Sequence, residues 1–238
     1  MSDEGKSPMG ILFLVVLVDM IGFTIVIPFL TYFVQDLATA DGITDVGSRD
    51  LWVGIVISVY SLAQFIFTPI LGSLSDRMGR RPILMFGLLS NTVFFTIFGL
   101  SGSLTMAVVA RFLAGAGNGN IAVARAYIGD ISESKDVAKR MGMIGAAFGL
   151  GFMIGPFIGG VLSDPAAGIG PPFDGQLWVD HPYLLPCLFS STLSLFSFTL
   201  AVTQLPESLP EENRRTSEDS VFKAVSYTHL TLPTILLV

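Results

Sequence analysis

Two side chains of opposite charge lie inside stretches otherwise built for hydrocarbon. Asp19 sits in GILFLVVLVDMIGFTIVIPFLTYF and Arg111 in LTMAVVARFLAGAGNGNIAVARAY. A charged group at that depth costs roughly 3 kcal/mol or more, so each needs a partner, a cavity or water. The chemistry open to such groups is ion pairing or the carriage of a proton. Asp19 is about 14 Å from one end of its span and Arg111 about 10 Å from the opposite end of an antiparallel one. That leaves an axial offset of about 6 Å, within reach of an extended arginine if the two helices are neighbours. A structural ion pair that only fixes packing is the plainer alternative. Arg111, Asn118 and Arg125 recur every seven residues, with Gly115 and Ala122 between them. On a continuous helix that is one slowly drifting polar stripe, suited to a hydrated path or a packed polar interface. Tyr60 and Gln64, four apart, are expected to face the same space or the core.

Two further patterns concern motion rather than binding. The run GSLSDRMGRRP, residues 72–82, has Gly72 for close packing of a helix end, Asp76 as a carboxylate at the membrane edge and Gly79 for a sharp turn. Arg77, Arg80 and Arg81 are placed to meet an acidic inner leaflet. Asp130 is expected to reach this loop and pair with Arg77 or Arg80 as a charge latch, a simple interfacial anchor being the alternative. Gly145, Gly149, Gly151, Gly155, Gly159 and Gly160, with Pro156 among them, mark a helix suited to close packing and a kink, either a bare packing seam or a hinge and seal.

The elements that must position these residues follow from composition. The chain is 51% hydrophobic and 13% charged, with mean hydropathy +0.69, too apolar for a water-soluble domain of 238 residues. Six apolar stretches, 10–33, 51–74, 82–100, 104–127, 141–163 and 182–204, each have the roughly 20 residues that cross about 30 Å of hydrocarbon. Strand alternation is absent, so the expected fold class is an all-α membrane protein with six transmembrane helices. The first stretch is too long, and carries Asp19, for a cleaved secretory signal. The expected organisation is an N-terminus over 1–9, a six-helix bundle over 10–204, the start of a central linker over 205–224 and a non-native tail over 225–238.

Of the thirteen Lys and Arg, ten fall before, between or after spans on one side: Lys6, Arg77, Arg80, Arg81, Lys135, Lys139, Arg140, Arg214, Arg215 and Lys223. Arg49 alone falls on the other side, which predicts that both N and C termini are cytoplasmic. The far-side loops are acidic, with Asp36, Asp41, Asp45 and Asp50 in the first and Asp164, Asp174 and Asp180 in the third, and read as solvated faces. Loop 164–181 is a Pro- and Gly-punctuated turn region ending at His181, with no second metal ligand near it. A net charge of -6 argues against nucleic acid, and the single Cys187 allows neither an intrachain disulfide nor a thiolate metal cluster. No catalytic triad, metal cluster or nucleotide loop is present, and GAGNGN lies within a span without the preceding strand a phosphate loop needs, so no enzyme is expected.

The run 72–81 resembles the G-x-L-x-D-R-x-G-R-R signature of the major facilitator superfamily, here complete, and the likeness extends over residues 10–208. Asp19 with Gly22 and Pro28, Arg111 with Gly115, and GFMIGPFIGG at 151–160 follow in the family's order. The last resembles an antiporter-type glycine helix, here Gly151, Gly155, Pro156, Gly159 and Gly160. RRPIL, AYIGDIS and LPES bring the closest likeness to tetracycline-type and multidrug proton antiporters. Tetracycline exporters carry an acid in the middle of helix 3, where this sequence has only Asn91. The resemblance implies half of a twelve-helix fold, a substrate cavity between two halves, and a C-terminal half of the same protein as partner, on which Asp76 would dock. The tail SYTHLTLPTILLV resembles translated adapter sequence, so a truncated reading frame is expected.

The resulting expectation is a multi-pass integral membrane protein that exports a small organic or drug-like molecule in exchange for protons, by alternating access. Asp19 and Arg111 would couple the proton, and Asn118, Tyr60, Gln64 and Arg125 would line the cavity. Gly72, Asp76, Arg77, Gly79, Arg80, Arg81 and Asp130 would form the latch. The proton gradient is the energy source, with no cofactor; the partners are the small-molecule substrate, protons and the lipid bilayer. A symporter or uniporter of a small metabolite, and a non-transporting six-helix scaffold, are the alternatives.

Overall fold

In a computed structural model, residues 8–173 and 175–214 are described. The expected tail over 225–238, the second half of the linker over 215–224, Lys6 and Asp174 lie outside the described residues, and with them Arg215 and Lys223. Among those described, six helices are long and apolar enough to cross a membrane: Pro8–Ala40, Val46–Met78, Arg80–Gly99, Leu104–Ile131, Val137–Leu162 and Leu184–Gln204. Every expected stretch is found. Several run past their apolar limits because polar residues cap them outside the hydrocarbon. Helix α3 (Val46–Met78) begins where the Asp45 carboxylate accepts the Ser48 N–H at 2.8 Å. Those hydrogen bonds hold the Asp45 carboxyl below its ordinary range.

The first span is two helices, α1 (Pro8–Ile25) and α2 (Ile27–Ala40), separated at Val26. Pro28, in the first turn of α2, has no N–H to continue the α1 ladder. Helix α4 (Arg80–Gly99) follows Gly79 without a loop. The fourth span, expected as one helix, is also two: α5 (Leu104–Gly117) and α6 (Asn120–Ile131), interrupted at Asn118 and Gly119. Helix α7 (Val137–Leu162) runs unbroken through Pro156. The far loop holds two short helices, α8 (Pro165–Gly168) and α9 (Gln176–Asp180), before α10 (Leu184–Gln204).

Helix α1 is the centre of the bundle, packed against α7 and α10, while α4 packs on α10 and α3 on α5. Two apolar clusters result. Leu12, Val15, Leu84, Leu88, Tyr127 and Ala147 fill one end, and Ile25, Phe29, Phe33, Phe95, Phe98 and Cys187 the other. Between them, at the level where α1 and the fourth span are interrupted or about to be, lie the buried polar residues.

Candidate functional site

Asp19 is 2% exposed and its carboxylate accepts two amide hydrogen bonds, from Asn91 Nδ2 at 2.9 Å and from Asn120 Nδ2 at 3.2 Å. Three spans therefore converge on one carboxylate, through α1, α4 and α6. Among the described residues no cation joins them. A hydrogen bond to a charged group contributes about 1.5–3 kcal/mol, so two offset a large part, but not all, of the several kcal/mol that burying an ion costs.

The interruption of the fourth span supplies this geometry. Asn118 donates through Nδ2 to the Tyr60 hydroxyl at 2.6 Å, and its backbone carbonyl accepts from Gln64 Nε2 at 3.3 Å. The Gln64 bond satisfies a backbone carbonyl that the broken helix leaves without its ladder partner, which is what permits non-helical backbone at membrane depth. The glycines around the break admit close neighbours. A Cβ at Gly117 would stand 1.9 Å from Ser90 Oγ, and one at Gly115 would stand 2.3 Å from the Tyr60 carbonyl oxygen. Tyr60, Gln64 and Asn118 thus meet as expected from the sequence, but they meet at a break rather than on a continuous stripe.

The expected pairing of Asp19 with Arg111 does not form. Arg111, 5% exposed, places its guanidinium carbon 4.6 Å from the Phe98 ring centre and 5.4 Å from that of Tyr60. Asp19 faces α4 and α6 instead. Depth along two antiparallel helices brought the groups level, but helical azimuth decides contact, and α1 has its substantial contacts with α7, α10 and α6 rather than with α5. Arg111 lines a cavity of about 410 Å³ with Phe23, Ile27, Ile57, Tyr60 and Phe152. Of the four residues expected along the cavity, Tyr60 lines it, Asn118 and Gln64 stand behind it, and Arg125 is exposed on α6 away from it. The break at residues 118 and 119 ends the seven-residue register that would have aligned Arg125 with Arg111.

On the other side of α1, the glycines of α7 divide by face. Gly151, Gly155 and Gly159 are buried against α1, where an added Cβ would lie 2.6 Å from Met20 Cβ, 1.9 Å from Thr24 Oγ1 and 2.0 Å from the Ile25 carbonyl oxygen respectively. The Thr24 hydroxyl donates to the Gly151 carbonyl at 2.8 Å, two residues before the interruption of the first span. Gly145, Gly149 and Gly160 have open space where a Cβ would be, so the seam is the four-residue series alone and Gly160 is outside it.

At the basic end, Arg80 donates through Nε to Asp130 Oδ2 at 2.9 Å, and through a terminal nitrogen to Ser75 Oγ at 2.8 Å and to the Asp76 carboxylate. Of the two arginines expected to meet Asp130, Arg80 is hydrogen-bonded to it. Gly79 turns at φ +102°, a conformation that disfavours a side chain. Among the described residues a Cβ at Gly72 would meet nothing within 4 Å. Arg81 bonds the Ala201 carbonyl at 3.3 Å and that of Val202, at the end of α10.

One residue of this cluster was not anticipated. Glu207, just beyond α10, accepts the backbone N–H of Arg80 at 2.8 Å and of Arg81 at 3.2 Å, and so caps α4 from more than 120 positions away. A carboxylate suits the N-terminus of a helix, where the first N–H groups lack partners. The only sequence signal was its place in LPES. Glu207→Ala should lower stability by about 1–3 kcal/mol, the cost of buried donors left unpaired, read as a reduced melting temperature. An unchanged melting temperature would mean that solvent caps α4 equally well.

The sequence profile of the Major Facilitator Superfamily matches residues 12–237. The chain is 36% identical over 158 residues to the class C tetracycline resistance protein of Escherichia coli, a match covering 66% of this chain and 38% of that protein. It is 30% identical over 215 residues to the protein ZINC INDUCED FACILITATOR-LIKE 1 of Arabidopsis thaliana, covering 89% of this chain and 43% of that one. Among solved structures, the human organic anion transporter MFSD10 (TETRAN) superposes with a TM-score of 0.72 at 23% identity, over 92% of this chain and 51% of that one. The chain thus spans about two fifths of the length of these curated relatives and half of the solved chain. Six apolar helices, the complete loop signature and the profile match agree: the chain is a multi-pass integral membrane protein and belongs to the Major Facilitator Superfamily.

Proposed function

We propose that these six spans are one half of a proton-coupled antiporter that exports a small organic molecule by alternating access, the other half being six further spans of the same protein. The observation that carries this reading is Asp19, buried and held by two neutral amides where α6 begins and six residues before α1 ends. A carboxylate without a cation partner is poised to exchange a proton when water reaches it from one side at a time. Arg111 is left out of that exchange, in contrast to the expectation from sequence. The interrupted first and fourth spans give the bundle flexible points near the site, as discontinuous helices do in secondary transporters. The seam of Gly151, Gly155 and Gly159 keeps α7 pressed on α1 and blocks leak along it. Asp76, Arg80, Asp130 and Glu207 bind the basic ends of α3, α4, α6 and α10 to one another and bias the access equilibrium. The relatives named for tetracycline resistance support efflux of a drug-like molecule.

The test uses the protein with both halves, reconstituted in vesicles with an acidic lumen and a pH-sensitive dye inside. Antiport predicts that adding a transported compound outside raises lumenal pH, because each molecule entering sends protons out. A fall in lumenal pH on the same addition would be symport and would overturn the reading.

A further inference from the structure

The amides that hold Asp19 are only half used. Asn91 and Asn120 each give an N–H to its carboxylate, while Asn91 Oδ1 and Asn120 Oδ1 are buried and accept no hydrogen bond from any described residue. Two hydroxyls of α10 share that condition, for Ser194 and Ser197 are 0% exposed and neither Oγ has a partner among the described residues. Helix register brings them to the carboxylate. Thr96 bonds Ser191 at 2.9 Å and Arg81 bonds the Ala201 carbonyl at 3.3 Å, so Asn91, between Thr96 and Arg81 on α4, is level with the middle of the stretch from Ser191 to Ala201. On α1, a Cβ at Gly22 would stand 3.7 Å from Ser194 Oγ, and Gly22 is one turn from Asp19 on the same side. That distance leaves a methyl-sized space beside the hydroxyl. A buried polar group left unsatisfied costs about 1–3 kcal/mol, and here four such oxygens share one level of the bundle with an anion that has no counter-ion.

We infer that Asp19, Asn91, Asn120, Ser194 and Ser197 form a site for Na+ between α1, α4, α6 and α10. None of the five lines the cavity of about 410 Å³ beside Arg111. An asparagine amide turned over about its last torsion presents Oδ1 where Nδ2 was, with almost no change of shape. Both amides donate to the bare carboxylate and turn their oxygens inward when the ion is bound. Carboxylate, amide and hydroxyl oxygens are the ligands of a hard cation. One carboxylate balances one positive charge, whereas a divalent ion would leave a net charge buried. Two carboxylate oxygens, two amide oxygens and two hydroxyls, all on short side chains of packed helices, make a small cage that favours Na+ over the larger K+. This names a second ion for the site of the proposed proton exchange. It rests on the antiport reading only for the step from ion binding to flux.

Binding is measured on the protein with both halves in nanodiscs at alkaline pH, with radioactive Na+ as the probe and choline as the inert cation. The expected result is saturable binding of one Na+ per protein, displaced by unlabelled Na+ at least about tenfold more readily than by K+. Asp19→Asn should abolish it. Ser194→Ala combined with Ser197→Ala removes two ligands and leaves Asp19 and its amides in place, and should weaken binding at least about tenfold. Thr192→Ala, on the exposed face of α10, should bind like the unaltered protein. Melting in sodium chloride against choline chloride separates ligation from packing. Na+ should raise the melting temperature of the unaltered protein and raise that of the double serine variant much less. Serines that only pack would lower both melting temperatures alike and keep their difference, and that result would overturn the inference. So would a lack of saturable binding, equal displacement by K+, or binding retained in Asp19→Asn. The proton reading is separated by titrating the Asp19 carboxyl in choline alone. Bound Na+ with no titrating carboxyl would remove the proton exchange and keep the ion site, and a titrating carboxyl with no Na+ binding would do the reverse.

Discussion

Asp19→Asn should reduce gradient-driven flux by roughly 100-fold, the scale on which removing a positioned proton-transfer group acts, while leaving the bundle folded. The substitution is isosteric and removes the charge. One of the two amide donors, from Asn91 or Asn120, keeps an oxygen to bond, and the other loses its acceptor. The loss of one hydrogen bond, about 1 kcal/mol, is set against the removal of a buried charge, so the melting temperature should move by only a few degrees. Flux in vesicles and thermal unfolding together separate the two effects. Flux lost with stability kept is the signature of a proton carrier. Flux kept would assign Asp19 a packing role, and flux and stability lost together would make it structural.

The second large effect is expected on α7. Gly159→Ala places a methyl group 2.0 Å from the Ile25 carbonyl oxygen, a backbone atom that cannot rotate away, and Gly155→Ala places one 1.9 Å from Thr24 Oγ1. Overpacking of a close-packed interface costs typically about 1–3 kcal/mol, and Gly159→Ala should reach or exceed the upper end because two backbones must separate. Gly155→Ala should cost less where Thr24 can rotate, although its bond to the Gly151 carbonyl would then break. Gly149→Ala and Gly160→Ala, with open space at the added carbon, should leave the melting temperature unchanged. Equal effects at all four positions would mean that helix propensity, rather than contact with α1, governs this helix.

Much of this was legible in the sequence, and the parts that were not share a cause. The spans could be read because twenty apolar residues have one stable arrangement in hydrocarbon, and the meeting of Arg80 with Asp130 because opposite charges at one membrane face have few other partners. The break at Asn118 and Gly119 was signalled by GAGNGN but outweighed by a seven-residue polar spacing that presumed a continuous helix. Asn120, the residue that brings the fourth span to Asp19, lay inside that run and was passed over for the same reason. The Asp19 to Arg111 pairing was reasoned from depth, which rise per residue fixes well. Contact also depends on azimuth and on which helices adjoin, and a single sequence carries neither. Glu207 was invisible because a helix cap supplied from over 120 positions away leaves no local pattern.

The account turns on Asp19 changing its protonation state within the membrane. Infrared difference spectroscopy of the protein between acidic and alkaline samples tests this without any ligand, by following the carbonyl stretch of a protonated carboxyl group. A band that comes and goes with pH and is missing from Asp19→Asn is the predicted result. A spectrum in which Asp19→Asn removes no titrating carboxyl would contradict it, because Asp19 would then hold a single protonation state between its two asparagines.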